Sequence, residues 1–308
     1  MATLLEIIVG LALLFGIGAP LAAAADAVGY DAAIFAPGPT GRSQQLLRLF
    51  PSGFSREVDI SLPFPVHVLA ISPDGATLYA QAVSVDVFQP PKGGLLTIGF
   101  NPTTVKTIPG SSGFVATSSL AAWPHEDKLL ISGPYVVGNK AVCGVYEFVV
   151  PTGTVRKLLD AANCDLPEAW TYLSVSPDGL HAVAIHRRQL ELIDLLKGTA
   201  RSLGDGFHMA AWSPDGKWIS VREYTKEDNT VLFDAVTFAR ARTLDTAEML
   251  WSPDSRYLLS WKALMQCGPD VESLERLDVM TGKSSVIESS LCKAWGGSGG
   301  WVSSRIRK

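Results

Sequence analysis

A short turn sequence, Ser-Pro-Asp-Gly, recurs along this chain and constrains its fold more than any other feature. Intact copies begin at Ser72, Ser176 and Ser213, and a fourth copy, at Ser252, ends in Ser instead of Gly. Each copy lies between two short apolar runs. Pro presets the turn backbone, Asp hydrogen-bonds to the backbone ahead of it, and Gly takes the left-handed conformation that closes the turn. Each copy therefore predicts a β-hairpin within a repeated unit.

Two degenerate copies are recognisable from their flanking residues. Trp123 precedes one of them and Trp295 the other, as Trp212 precedes the intact copy at Ser213. With these copies included, the turns begin at positions 72, 124, 176, 213, 252 and 296. Steps of roughly 40 to 50 residues fit a propeller blade of four strands whose loops vary in length. The repeat thus indicates a β-propeller.

The apolar runs between the turns fill five blades in chain order and leave half a blade at each end. Gln45–Phe50 and Phe54–Leu62 read as third and fourth strands, and Ala32–Phe35 as a possible short strand before them. Lys293–Trp295 and Trp301–Ser304 read as first and second strands. Pairing the two ends in one blade closes a ring and removes the open sheet edges.

We therefore expect an all-β protein with a single domain over residues 28–308. The expected fold is a six-bladed β-propeller of four-stranded antiparallel blades. Its ring is expected to be closed by the pairing of N- and C-terminal strands in one blade.

The first 27 residues differ in composition from the rest of the chain. Leu4 to Ala25 is apolar except for Glu6 and ends in small residues that suit an Ala-x-Ala cleavage site. No Lys or Arg precedes this run, and it is long enough to span a bilayer. A retained N-terminal anchor is therefore the alternative to a cleaved signal peptide. In both cases we expect an exported protein, periplasmic or secreted, with membrane contact only through this segment if it is uncleaved.

The amino-acid composition predicts a folded protein and argues against a nucleic-acid partner. Apolar residues make up 47% of the chain and charged residues 18%, which predicts a folded globular protein rather than a disordered one. The formal net charge is −4, and no block of Lys and Arg stands out. A nucleic-acid partner is therefore not expected.

The four cysteines favour an oxidising compartment. Cys143 and Cys267 each lie between predicted second and third strands, and Cys164 and Cys292 each lie in a link to the next blade. Four cysteines allow three pairings, of which the repeat favours Cys143–Cys164 and Cys267–Cys292. Each bridge would close a loop of about 20 to 25 residues and stabilise the fold by roughly 3 kcal/mol. Buried free thiols are the alternative, whereas a zinc site is disfavoured because neither pair has Cys-x-x-Cys spacing.

The repeat resembles that of the TolB-like family of six-bladed β-propellers. Ala211–Ser220 (AWSPDGKWIS) and Trp251–Ser260 (WSPDSRYLLS) carry the pattern apolar–Ser-Pro-Asp-Gly-Lys-x-apolar, and spaced copies cover most of Val66–Ser304. The resemblance implies the propeller fold, and the family includes periplasmic scaffolds that bind proteins. Such a repeat says little about function. We also expect no second domain ahead of the propeller, unlike TolB, so TolB's partners are not carried over.

No catalytic site is predicted. Gly296–Gly300 matches Gly-x-Ser-x-Gly, the nucleophile elbow of hydrolases, which needs an acid and a His further along the chain. Residues 301–308 contain no His, Asp or Glu. The repeated Asp74, Asp178, Asp215 and Asp254 could suggest a ring of carboxylates, but the turn that contains each of them explains it.

A metal-dependent hydrolase or lyase with its site at the central channel is the alternative function. Some six-bladed propeller hydrolases hold calcium in their central channel with Glu, Asn and Asp side chains. Glu168, Asp205 and Glu248 lie near the predicted starts of innermost strands. Calcium is the cofactor that this alternative implies, and no cofactor is otherwise expected.

Long loops and short turns are predicted on opposite faces of the propeller, which we call the loop face and the turn face. The long loops are Ser84–Gly93, Gly133–Val142, Glu223–Asn229 and Lys262–Glu272, and both predicted disulfides lie on their side. Long loops on a rigid scaffold often carry binding residues, although such loops can also be merely tolerated.

We therefore expect a non-catalytic scaffold that binds a protein partner or an extracellular ligand through its loop face. The candidate contact residues are His67, Trp170, Tyr172, His208, Tyr224 and Trp261.

Overall fold

The computed structural model describes the chain in a series of stretches. They are residues 30–34, 43–50, 53–61, 66–72, 77–82, 94–100, 103–115, 117–124, 126–163, 169–224, 229–245, 250–252, 254–263, 271–292 and 301–305. Over these residues, no helix has the length and hydrophobicity that crossing a membrane requires.

Apart from one 3₁₀ turn at Ser111–Gly113, the described elements are β-strands, numbered here in chain order. The first twelve are β1 (Tyr30–Ile34), β2 (Ser43–Phe50), β3 (Gly53–Ser61), β4 (Val66–Ile71), β5 (Thr77–Ala82), β6 (Leu95–Phe100), β7 (Thr103–Thr107), β8 (Ser119–Ala122), β9 (Lys128–Val137), β10 (Lys140–Val149), β11 (Thr154–Asp160) and β12 (Thr171–Val175). The others are β13 (His181–His186), β14 (Gln189–Asp194), β15 (Thr199–Asp205), β16 (Phe207–Trp212), β17 (Trp218–Glu223), β18 (Thr230–Asp234), β19 (Arg240–Leu244), β20 (Leu250–Trp251), β21 (Tyr257–Ala263), β22 (Val271–Asp278), β23 (Ser284–Cys292) and β24 (Trp301–Arg305).

These strands pair into six four-stranded sheets. Five sheets use consecutive strands, namely β4–β7, β8–β11, β12–β15, β16–β19 and β20–β23. The other sheet has the order β24-β1-β2-β3 and so combines strands from both ends of the chain. Neighbouring strands are antiparallel, as in β13 with β14 and β1 with β24. The prediction of an all-β propeller with four-stranded antiparallel blades is confirmed.

The leading strands of the sheets lie beside one another. Contacts join β4 to β8, β8 to β12, β12 to β16, β16 to β20, β20 to β24 and β24 to β4. Each sheet extends outward from its leading strand, and the buried apolar side chains lie between neighbouring sheets. One such cluster includes Val183 and Ile185 of one sheet with Ile219 and Val221 of the next.

In the sheet that combines both chain ends, the four strands are divided between the two ends differently from the prediction. The C-terminal end supplies one strand instead of two, and the N-terminal end supplies three. In β1 and β24, Tyr30 lies opposite Arg305 and Ile34 lies opposite Trp301. Trp301 begins a leading strand, so its assignment to a second strand is wrong. The glycine-rich stretch 296–300 has few side chains by which the strand that follows it could be assigned to a position in the repeat. The predicted strand Lys293–Trp295 lies outside the described residues.

Hydrogen bonds close the Ser-Pro-Asp-Gly turn at Ser213. Its N–H donates to the Trp218 carbonyl at 2.8 Å, and the Trp218 N–H donates to the Ser213 hydroxyl oxygen at 2.9 Å. The hydroxyl itself donates to Asp215 Oδ1 at 2.7 Å. Gly216 closes the turn with φ of 74°. Ser255, at the glycine position of the fourth copy, takes the same left-handed conformation with φ of 60°.

The turn between the third and fourth strands of three sheets is also closed by a carboxylate, a role that the sequence analysis did not assign to these aspartates. Asp194, Asp234 and Asp278 each accept hydrogen bonds from the backbone N–H groups two and three residues ahead, at 2.7 to 3.1 Å. The Val279 N–H then donates to the Arg256 carbonyl at 2.9 Å and joins this turn to the Ser-Pro-Asp turn of its own sheet. Both turns of a sheet therefore lie on the turn face.

Arginines at one repeated position of the outer strands join neighbouring sheets. Arg156 in β11 donates to the Leu195 carbonyl at 3.0 Å, and Arg242 in β19 donates to the Val279 carbonyl at 2.6 Å. Both carbonyls belong to the turn between the third and fourth strands of the following sheet. Arg201, at the same position of β15, lies over the ring of an aromatic residue in the following sheet's turn, 4.9 Å from its centroid. These arginines connect sheets at the turn face, in addition to the apolar core.

The contact made by Arg242 gives the first prediction. Arg242→Ala should lower the free energy of unfolding by about 1 to 2 kcal/mol, because it removes charge-assisted bonds to a turn of the next sheet. The matched control is Arg240→Ala, which removes an exposed pair with Glu223 inside one sheet and should cost at most about 0.5 kcal/mol. Urea unfolding measures both. Equal losses in the two variants would show that Arg242 does not join the sheets.

The turn carboxylates give a second prediction, on pH. Burial acts to raise the pKa of Asp215, but hydrogen bonds from the Ser213 hydroxyl and the Lys217 N–H outweigh it and hold this pKa below its ordinary value. The pKa of Asp178 is lowered in the same way, against the effect of burial, by Ser176 and the Leu180 N–H.

A carboxyl with a depressed folded-state pKa stabilises the fold fully above its unfolded-state pKa, and this stability is lost as pH falls through the folded value. The free energy of unfolding should therefore hold between about pH 5 and 7 and fall below about pH 4. Asp215→Asn should flatten that decline, whereas Asp245→Asn, which alters an exposed carboxylate outside the turns, should not. Unfolding curves at stepped pH would contradict this if the two variants had the same acid slope.

Candidate functional site

Four of the six predicted contact residues lie at the loop-face end of the adjacent sheets β12–β15 and β16–β19. Trp170 and Tyr172 lie at the start of β12, His208 is the second residue of β16, and Tyr224 directly follows β17. The β13–β14 hairpin connects them, because His186 at the end of β13 stacks on Trp170 and Arg188 in the turn lies over Tyr224. We call this group of residues, with the hairpin turn, the hairpin site.

The other two predicted contact residues are not tested. The backbones of His67 and Trp261 lie in β4 and β21, but their side chains fall outside the described part of the structure. Of the predicted long loops, Ser84–Gly93 also lies outside it, as do the central parts of the two loops that follow β17 and β21.

The predicted loop Gly133–Val142 is wrong as a loop. Strands β9 and β10 continue through it in register, from Val149 opposite Lys128 to Lys140 opposite Val137. Only Gly138 and Asn139 remain as a turn. The β-branched Val136, Val137 and Val142 on either side favour extended backbone, which is the signal that the loop reading overlooked.

Cys143 is disulfide-bonded, and it lies in β10 within this extended hairpin. Cys164 and Cys267 lie outside the described residues, and only the backbone of Cys292 is described, at the end of β23. Both predicted pairings therefore stay predictions.

Trp170 and His186 form the inner part of the hairpin site. Their rings stack with centroids 4.1 Å apart and planes 22° apart. Glu191 fixes both rings, because its Oε2 accepts a 2.8 Å hydrogen bond from Trp170 Nε1 and its Oε1 lies 3.1 Å from His186 Nδ1. Trp170 is 5% exposed, so its ring offers little surface to a binding partner and instead packs against His186.

Tyr224 and Arg188 form the outer part of the site. The Arg188 guanidinium lies over the Tyr224 ring, 4.2 Å from its centroid. His208 meets the same ring edge-on, with centroids 5.7 Å apart. Tyr224 remains 60% exposed and Tyr172 43% exposed. Tyr224 is thus an exposed ring with a cation over it at the junction of two sheets, and Tyr172 is a second exposed ring at the start of β12.

Three residues of the site have unusual backbone conformations. The two-residue turn between β13 and β14 consists of Arg187 and Arg188, with φ of 52° and 65°. Positive φ at both positions is what a type I′ hairpin turn requires, and Asn-Gly is the sequence that adopts it most easily. Tyr172, in an irregular stretch of the β12–β13 pairing, has φ of 53°. Each such residue costs of order 1 kcal/mol or more, and such strain often accumulates at functional sites.

The sequence analysis did not select Arg187 and Arg188. The signal for them was present, because the predicted strands that end at His186 and begin at Leu190 leave only three residues between them, so a tight turn is expected there. Neither Gly nor Asn occupies that turn, and a mismatch between residue type and turn type points to a role other than folding.

The calcium site of the alternative function is not tested. Glu168 and Glu248 lie outside the described residues, and Asp205 ends β15 opposite Gln189. Among the residues that the structure describes, no group of three or more His, Cys, Asp or Glu side chains is arranged to hold a metal ion.

Comparison with known proteins places the chain by its fold. No family model and no curated protein sequence matches it. TolB from Acinetobacter baumannii is similar in structure, with a TM-score of 0.63 and 15% identity over 90% of this chain and 67% of that one. A protein described as TolB from Agrobacterium tumefaciens has a TM-score of 0.55 and 16% identity over 85% of this chain and 89% of that one.

A chain of the nidogen/laminin complex is also similar, with a TM-score of 0.59 and 9% identity over 84% of this chain and 93% of that one. Likenesses at such low identity concern the fold and not the chemistry of a site. The structural neighbours of this chain are TolB-like β-propellers, in agreement with the resemblance that its repeat predicts.

Proposed function

We propose that this chain is an exported, non-catalytic β-propeller scaffold that binds a protein partner through the hairpin site on its loop face. One observation carries the proposal: Arg188 of the β13–β14 turn lies over the exposed ring of Tyr224, which directly follows β17 of the adjacent sheet, and Tyr172 at the start of β12 is exposed as well. Tyr and Arg are enriched at the energetic centres of protein interfaces. The similarity in fold to a chain from a protein complex, nidogen/laminin, is consistent with such a role.

The rigidity of the site favours recognition of a folded or extended polypeptide. Trp170 is buried and hydrogen-bonded to Glu191, and His186 is stacked on it. Side chains that are already ordered lose little conformational entropy on binding. The hairpin site therefore has an ordered base beneath the side chains that reach solvent.

Export is supported by two features. The apolar N-terminal stretch reads as a signal peptide or anchor, and Cys143 is disulfide-bonded. Structural disulfides persist in oxidising compartments and are rare in the cytosol. A periplasmic or secreted location fits both features.

We further propose that the six sheets form one closed ring. The pairing of β1 with β24 supports closure, as does the unbroken series of contacts from β4 through β24 and back to β4. A closed ring leaves no leading strand unpaired with a neighbour and holds the two sheets of the hairpin site in a fixed relation.

Closure predicts a specific engineered disulfide. Ala32 lies opposite Ser303 in the paired strands, so oxidised A32C/S303C should form a bridge, detectable by peptide mass mapping, and should raise the unfolding midpoint. The matched control is A32C/V302C, because adjacent residues of a strand point to opposite faces of the sheet. A bridge in both proteins, or in neither, would argue against the paired termini.

The binding function predicts the loss of a partner from one face only. Wild-type protein, the Y172A/Y224A variant and a Val236→Ala control would be used as baits in envelope and culture-medium extracts. Val236 is 82% exposed on the turn face. Partners that wild type and the control retain should fall by about tenfold or more with Y172A/Y224A, as expected for interface hot spots. Equal capture by all three baits would reject the hairpin site as the binding surface.

A further inference from the structure

We propose that the N-terminal apolar segment is a retained membrane anchor and that the turn face docks on the same lipid bilayer. Apolar residues at the tips of three outer turns make the contact. The inference goes beyond the proposed function, because it concerns the face opposite the hairpin site. In this arrangement the loop face points away from the bilayer, and the hairpin site stays accessible to a partner.

The first argument is a repeated exposed position in the turns between third and fourth strands. In three consecutive sheets, the residue two positions after the turn aspartate is large and apolar. These turn-tip residues are Leu196, Val236 and Met280, and they are 73%, 82% and 72% exposed. Single exposed apolar residues are common on protein surfaces, but turn positions are usually polar. Their repetition in neighbouring sheets indicates contact with an apolar surface outside the propeller.

The turns hold these tips in fixed positions. Asp194 accepts hydrogen bonds from the N–H groups of Leu196 and Lys197 at 3.1 and 2.9 Å. The Leu195 N–H donates to the Leu180 carbonyl at 3.0 Å and joins the tip to the Ser-Pro-Asp turn of the same sheet. A tip whose backbone is already ordered loses little conformational entropy when it inserts into a bilayer.

The second argument is that exposed cations lie beside the turn tips. The three cations are Lys197, Lys217 and Arg256, one in each of the three sheets. Lys197 follows its turn tip in the chain, and backbone hydrogen bonds of 2.9 Å join the Lys217 and Arg256 carbonyls to the turns of the other two tips. Lys and Arg side chains donate hydrogen bonds to phosphate groups. Apolar side chains flanked by such cations are typical of protein surfaces that lie at lipid headgroups.

The carboxylates paired with these cations are less exposed than the cations are. Each pair has an N–O distance of 2.8 to 3.2 Å, and the exposed fraction of the side chain is 61–75% for the cations. It is 13–32% for their partners, Asp194, Asp215 and Asp278. Asp178 and Asp254 are exposed on the same face, and each accepts a backbone hydrogen bond within its own turn. Because both signs of charge are present, insertion of apolar side chains is the main contribution to the contact.

The third argument is that the described chain begins at the turn face. Strands β2 and β3 are the third and fourth strands of the sheet that combines both chain ends, and they pair as far as Phe50 opposite Gly53. This end of the two strands corresponds to the outer turns of the other sheets and lies on the turn face. Tyr30, the first residue of β1, lies opposite Leu49 near the same end. The N-terminal segment therefore joins the propeller at the turn face.

The connection between the apolar stretch and the propeller is short. Only four residues, 26–29, separate Leu4–Ala25 from Tyr30. The stretch is long enough to span a bilayer, and the extended reach of the connection is at most about 18 Å. An anchor in the bilayer therefore keeps the turn face close to the lipid headgroups. The sheet that carries Met280 adjoins the sheet of the chain ends, because β20 contacts β24, so the series of turn tips begins beside the anchored sheet.

The arrangement of the tips favours a bilayer over a protein partner. The tips belong to separate sheets, and exposed Lys217 and Arg256 lie beside them. They therefore do not form the contiguous apolar centre that is typical of a protein interface. A fluid bilayer needs no such continuity, since each side chain inserts separately among the headgroups.

Site-specific fluorescence of the full-length protein in vesicles tests the proposal. An environment-sensitive fluorophore would be attached to Val236→Cys and, as the matched control, to Val137→Cys. Val137 is 60% exposed and lies in the β9–β10 hairpin on the loop face. The vesicles contain phosphatidylcholine and phosphatidylglycerol, with a nitroxide quencher on the acyl chains. The label at position 236 should emit at shorter wavelength and be quenched about threefold or more as strongly as the label at position 137.

A second variant separates docking from anchoring. A label on Lys217→Cys reports on the turn face beside the tips, because the Lys217 side chain is mostly exposed. In L196S/V236S/M280S the quenching of this label should fall toward the level at position 137, since the anchor remains but the apolar contact is lost. The three residues are exposed, so the urea unfolding midpoint should stay nearly unchanged. The matched control Val137→Ser should leave the quenching unchanged.

Three results would overturn the inference. One is equal quenching at positions 236 and 137. Another is unchanged quenching of the position-217 label in L196S/V236S/M280S, which would show that the anchor alone sets the distance from the bilayer. The third is loss of the N-terminal segment from the native protein, as shown by its mass. None of these results bears on partner capture through the hairpin site.

Discussion

The architecture depends on a hydrogen bond between the side chains of Ser and Asp inside a four-residue turn. In the copy at Ser213, the hydroxyl donates to Asp215 while it accepts from the N–H of the next strand, so one side chain satisfies the turn and starts the strand. A buried polar group without such partners would destabilise the fold. Because the arrangement is local, it can be repeated in sheet after sheet without depending on distant residues, and the repeat built from it is the basis of the propeller.

The turn face and the loop face are organised by different physical constraints. On the turn face, backbone hydrogen bonds join the two turns of the sheets β8–β11, β12–β15, β16–β19 and β20–β23, and Arg156 and Arg242 join β11 and β19 to the sheet that follows each of them. These side chains are committed to structure. On the loop face of sheets β12–β15 and β16–β19, the Arg187–Arg188 turn has a strained backbone and Tyr224 is exposed. A scaffold fixed from one side can tolerate strain on the other, which agrees with the binding role proposed for the loop face.

The sequence predicted four residues of the hairpin site but not the contacts that they make. Trp170, Tyr172, His208 and Tyr224 could be selected because the strand pattern assigns them to the starts of leading strands or to loops. Their roles could not be selected: Trp170 proved to be a buried support for His186, whereas Tyr224 is exposed and orders Arg188. Contacts of this kind join different strands and different sheets, and spacing along the chain carries no information about them.

What the sequence by itself determined is the local chemistry: hairpins at each Ser-Pro-Asp turn, four strands in each repeat and an all-β propeller, because turn geometry follows from a few adjacent residues. Tertiary structure decided what local chemistry leaves open. It divided the terminal sheet into three N-terminal strands and one C-terminal strand, extended β9 and β10 through a predicted loop, and stacked Arg188 on Tyr224. Each of these outcomes is set by which strand finds a partner across space, and that choice depends on packing among residues far apart in the chain.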